Sequence, residues 1–233
     1  MELYNKIFKQ KRILYSFITL CIFFILFSIY ALGKPNIDYL TIYNACFSSY
    51  CLLLVIIPFL LYINSCVFKL MYKYKVILRY SHIYKWWNRV KESSALICAL
   101  YTIVTNIIII PISFIRAESK NQVTIDTLVF FLICTISQFM FYLTASRIYN
   151  IISYLLGNMF LSFVSTISIL LLYNQLCSLF HLNAFKIDTY ISIPLRNNYI
   201  EYYPNILCIL GTFLLIKTID LLATYMLETK EIY

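Results

Sequence analysis

The sequence predicts an all-α, polytopic membrane protein, a single transmembrane domain over residues 1–233 with six spans and both termini cytoplasmic. Three observations carry that expectation. Hydrophobic residues make up 62% of the chain and charged residues 12%, about half the charged share of a soluble domain. Only three glycines and five prolines interrupt 233 residues, so the apolar runs reach the roughly 20 residues that a bilayer crossing takes. Lys and Arg are unevenly shared between alternate loops: thirteen fall on one side, five on the other, and Lys217 lies inside a span. The richer side is the cytoplasmic one.

The chain opens with a short basic segment, residues 1–12, in which Leu3, Tyr4, Ile7 and Phe8 share one helical face and Lys6, Lys9 and Arg12 the other. It suits an amphipathic helix on the inner membrane surface, or a flank that holds the N-terminus inside. The first apolar run is long enough to span and has no small-residue cleavage site, so it reads as a retained helix over about 13–32. The second span, about 39–68, exceeds what a straight crossing needs, and Pro58 is placed to kink it. The third runs over about 95–115 with Asn106 at its middle, and the fourth over about 127–145. A tight inner turn around Arg147 and Asn150 leads to the fifth, about 151–179. Asn158 and Gln138 suit interhelical polar contacts, and Asn44 and Asn64 helix contacts or a cavity. Residues 180–203 form the longest outer segment, too apolar for a solvated linker and expected to fold back on the outer membrane face. The sixth span is about 204–227. Inside it Lys217 and Asp220 stand three residues apart, able to pair on one helix or to serve translocation, while the Lys217 stem is long enough to snorkel.

Between the second and third spans, residues 69–91 carry seven of the nineteen Lys and Arg and no acid. Read as a helix, the stretch sets Val76, Tyr80, Ile83, Tyr84, Trp87 and Val90 on one stripe and Lys75, His82, Lys85 and Arg89 on the other face. Two readings of it remain open: a topogenic loop with aromatics at the headgroups, or a docking element that presents its aromatic face to a soluble partner.

Chemistry is scarce. There is no HExxH, no GxSxG and no P-loop, so no catalytic residue, cofactor site or metal site is expected. Of the eight cysteines, Cys21, Cys46, Cys51, Cys98, Cys134 and Cys208 fall inside apolar runs, where each acts as a small hydrophobe. Cys177 and His181 are spaced like helical neighbours but have no further ligands or base. The sequence pI of about 9.1 reflects basic residues at span ends facing anionic lipid, not nucleic acid.

Six spans, an amphipathic start, a long second span and a large outer segment before the sixth make a recognisable set. With Ile77-Leu78-Arg79-Tyr80, then Lys85-Trp86-Trp87 and Lys91, the chain resembles the small permease subunits of ABC-2-type exporters of Gram-positive bacteria, the type that handles lantibiotics or phenol-soluble modulins. The resemblance implies that Arg79, Tyr80, Ile83, Tyr84, Lys85, Trp86 and Trp87 form a cytoplasmic coupling helix on an ATP-binding-cassette ATPase, with Tyr84 and Trp87 as anchors and Trp86 nearer the charged face. It also implies a second permease, identical or homologous, a bacterial plasma membrane location, and ATP and magnesium held only by the ATPase. A non-transporting accessory, immunity or sensor-associated membrane protein is the alternative.

Overall fold

The computed structural model describes residues 11–31, 39–72, 83–116, 124–182, 186–187, 195–196, 199–200 and 203–231. The expected amphipathic start falls mostly outside them, as do Arg79, Tyr80 and His82. Six long helical stretches follow in order: α1 (Lys11–Ala31), α2 (Tyr39–Met71), α3 (Ile83–Arg116), α4 (Ile125–Leu156), α5 (Met159–Leu179) and α6 (Tyr203–Glu231). Among the described residues, α2 to α6 are long and apolar enough to cross a membrane, and α1 is a 21-residue helix. A short antiparallel ladder, β1 (Leu195–Arg196) with β2 (Tyr199–Ile200), lies in the segment before α6.

Pro58 acts where the sequence places it. Proline lacks an N–H and its ring collides with the carbonyl four residues back. The chain answers with a π-helical turn at Leu52–Ile56, immediately before the α-helix resumes at Ile57. Wider turns of this kind loosen the hydrogen-bond ladder, and here the Tyr101 hydroxyl donates to the Ile56 carbonyl at 2.7 Å.

Two helices run further than the sequence predicts. The third was expected to begin near Ala95, after a separate amphipathic piece; instead α3 is one 34-residue helix from Ile83. Glu92, Ser93 and Ser94 do not stop it, because no Gly or Pro interrupts it before Pro111. The fourth was expected to end near 145; α4 instead continues through Arg147 and Asn150 to Leu156. The turn comes at Gly157, whose φ of 63° and N–H to the Ser153 carbonyl make a left-handed stop that suits glycine. Asn158, expected inside the fifth span, caps α5 from outside: its Oδ1 accepts the N–H groups of Phe160 and Leu161 at 3.0 and 3.3 Å. The far end of α5 closes in the same economical way. Leu182 N–H reaches Cys177 O at 2.9 Å and His181 N–H reaches Ser178 O at 3.3 Å, with His181 in the left-handed region. His181 is therefore an exposed end residue and not a helical neighbour of the buried Cys177.

The bundle is arranged around α4, which packs against α2, α3, α5 and α6. Its residues 141–147 are buried without interruption, so that turn is covered on every side. Thr144, Ala145 and Ser146 explain how: small side chains let neighbouring helices come close, and their hydroxyls find partners there and not in lipid. Leu, Ile and Phe face outward instead, as on α5 and α6 at Leu172, Phe160, Leu214 and Leu221.

Candidate functional site

In hydrocarbon a polar side chain without a partner is costly, so the polar groups of the spans collect in the interior of the bundle. They form three levels along α4. At the first, the Tyr39 hydroxyl of α2 meets the Thr127 hydroxyl at 2.9 Å, tying the start of α2 to the start of α4. Midway, Tyr43, Asn106 and Gln138 close a ring. The Tyr43 hydroxyl donates to Asn106 Oδ1 at 2.7 Å, Asn106 Nδ2 to Gln138 Oε1 at 2.6 Å, and Gln138 Nε2 back to the Tyr43 oxygen at 2.9 Å. This fulfils the expected interhelical role of Gln138. It also recruits Tyr43, which the apolar run around it had hidden. Tyr43→Phe leaves Asn106 Oδ1 and Gln138 Nε2 short of a partner and should cost about 1–2 kcal/mol. Thermal unfolding in detergent measures it against Tyr62→Phe, at a half-exposed position expected to be silent.

The third level lies toward the C-terminal end of α4. Asn64 Nδ2 donates to Asn150 Oδ1 at 2.8 Å, and the Ser94 and Ser146 hydroxyls are paired. Arg147, counted from sequence as a loop charge, is buried here, with its Nε 3.6 Å from Asp220 Oδ1 on α6. That is ion-pair distance but beyond a good hydrogen bond. The expected pairing of Asp220 with Lys217 is not formed. Among the described residues Asp220 has its ion pair with Arg147 alone, while Lys217 stands on the exposed face of α6 with Nζ 5.5 Å from the Phe213 ring centroid.

Below that level the helix ends meet in a knot of rings. Phe68 and Tyr72 from α2 and the residue after it, Trp86 and Trp87 from α3, and Tyr154 from α4 stand with ring centroids 5.4 to 6.5 Å apart. Such distances suit edge and offset contacts. Trp86 Nε1 donates at 2.8 Å to the Met71 carbonyl, one of the carbonyls that the end of α2 leaves without a helical partner. Trp86 and Trp87 are 0% and 1% exposed. The expectation that Trp87 faces a partner, and that Trp86 lies nearer a charged surface, is corrected by this burial. An amphipathic stripe reads both ways, because a helix that packs on its own bundle shows the same periodicity as one that docks elsewhere.

The rest of the basic stretch divides around the knot. Ile83 is partly buried against the hydrophobic core, whereas Tyr84 and Lys85 are exposed. Arg89 and Glu92 pair at 2.7 Å on the exposed face, a contact worth little by itself. The structure thus brings Trp86 and Trp87 together with Phe68, Tyr72 and Tyr154, and leaves Tyr84 and Lys85 exposed. Comparison with protein families, curated proteins and solved structures finds no match to this chain.

Proposed function

We propose that the chain is a permease subunit of an ABC-2-type ATP-binding-cassette exporter, moving an amphipathic or hydrophobic cargo, peptide foremost. In this reading it crosses a bacterial plasma membrane six times, with α1 as the first span and both termini inside, as the Lys and Arg asymmetry requires. The chain holds no nucleotide and does no covalent chemistry; ATP and magnesium belong to a separate ATPase subunit. A second permease, identical or homologous, completes the pathway.

The observation that carries the reading is the aromatic knot. A loop that only sets topology has no need to be fastened to three helices. Here α3 is a continuous 34-residue rod from Ile83, and its first turn is locked to the ends of α2 and α4 through Trp86, Trp87, Tyr72 and Tyr154. A push on the exposed Tyr84 and Lys85 side is therefore delivered to three spans together, because packed interiors transmit displacement. Docking is the task of Arg79, Tyr80, Tyr84 and Lys85, and transmission that of the two tryptophans.

The test is affinity purification of the tagged chain from its native host, with magnesium-dependent ATP hydrolysis measured in the eluate. Hydrolysis should co-purify with the wild-type chain and fall about tenfold in Tyr84→Ala/Lys85→Ala, with the melting temperature of the chain unchanged. Equal capture by the variant removes the coupling role. No co-purifying ATPase at all removes the exporter reading in favour of an accessory membrane protein.

A further inference from the structure

Beside the covered turn of α4 lies a cavity of about 190 Å³ bounded by α4, α5 and α6. Phe141 and Ile148 line it from α4, Leu170 from α5, and Thr212 and Leu215 from α6, while Ile187 of the intervening segment closes one side. Ile187 is 1% exposed, and its N–H is held by Asn174 Oδ1 at 3.2 Å.

The lining offers water almost nothing. The hydroxyl of Thr144, also in the wall, is spent on the Met140 carbonyl at 2.9 Å, and that of Thr212 on the Cys208 carbonyl at 2.9 Å. A cavity of about 150 Å³ lined by aliphatic and aromatic side chains stays dry and accepts a benzene-sized apolar guest. Wall atoms without neighbours forfeit dispersion contacts that such a guest restores. The mouth is lateral: the wall residues Ile169, Tyr173 and Leu215 are 42–43% exposed on the outer surface of α5 and α6, among other exposed Leu, Ile and Phe side chains.

We propose that this cavity is a binding site for a single alkyl group, entering sideways from the membrane between α5 and α6. The occupant is a phospholipid acyl chain: the lining is almost wholly apolar, and the mouth opens sideways among the exposed apolar side chains of α5 and α6. The site needs no ATPase, so it stands or falls separately from the exporter reading.

The experiment is photolabelling of the full-length chain in lipid nanodiscs, in two arms. One uses phosphatidylglycerol with a diazirine in one acyl chain, the other an amphipathic helical peptide carrying a diazirine analogue of leucine. Adducts are mapped by mass spectrometry. Adducts should concentrate at the cavity wall, at Leu170 and Thr212, and exceed those on the plain lipid-facing residues Leu132 and Leu221. Wall labelling by the lipid arm supports the proposal, and wall labelling by the peptide arm alone overturns it. Thr212→Phe fills the cavity and should lower wall labelling about tenfold. Leu215→Phe fills it from the half-exposed mouth, where the larger ring is tolerated, and serves if the first variant does not fold. Adducts spread evenly over all lipid-facing residues, or wall labelling unchanged in a folded filled variant, overturn the proposal.

Discussion

Asp220→Leu is expected to lower the stability of the chain by about 3 kcal/mol, while Arg147→Leu/Asp220→Leu should regain most of that loss. The asymmetry follows from what each change leaves behind. Removing Asp220 strands Arg147, whose side chain is 7% exposed and whose guanidinium cannot shed its proton. Removing Arg147 strands Asp220, which is 23% exposed and so nearer to water, so Arg147→Leu should be the milder single change. The double variant removes both charges from the interior; since the pair sits at 3.6 Å, it gives up an ion pair that lacks a close hydrogen bond. Lys217→Leu should be nearly silent, because Lys217 is exposed and gives up only its contact with Phe213, worth about 0.5–1 kcal/mol. Melting curves of the four purified variants decide the matter. A double variant as unstable as Asp220→Leu, or Lys217→Leu as damaging as Asp220→Leu, would show that the intramembrane pair is not the one between α4 and α6.

Arg147 also marks how far the sequence could be read. A charge seventy-three positions from its partner looks the same as a charge at a membrane exit, since hydropathy registers cost and not compensation. Treating it as a loop residue shortened α4 by a third and moved the turn forward from Gly157. The correct signal was present: Gly157-Asn158 is a stop followed by a cap, readable without any partner. Placing Arg147 inside the bundle leaves twelve Lys and Arg against five, so the charge asymmetry survives the correction. Pro58, Asn64 and Gln138 were legible because a proline or a polar group in hydrocarbon has few options. The fate of Trp86 and Trp87 was not. Burial of an aromatic stripe depends on whether the chain itself returns to cover it, and Tyr154, which does so, lies 67 positions beyond Trp87.

That burial sets the second large effect. Trp87→Ala and Trp86→Ala should each cost about 3–5 kcal/mol, the range for removing a large aromatic from a packed interior, and lower the melting temperature accordingly. Trp86→Phe separates the two contributions of that side chain. It keeps a ring among Phe68, Tyr72 and Tyr154 but deletes the donor to the Met71 carbonyl, and about 1 kcal/mol of the loss should remain. Tyr84→Ala, at an exposed position one turn away, should leave stability unchanged. The comparison divides transmission from docking. If the tryptophans work within the chain, ATPase capture by Trp87→Ala should fall only in step with its stability and return when the purification is done in the cold. Capture by Tyr84→Ala should stay low at every temperature. Normal stability in Trp87→Ala together with lost capture would mean that the indole reaches the partner directly, and the knot of rings would then have no part in carrying movement into the spans.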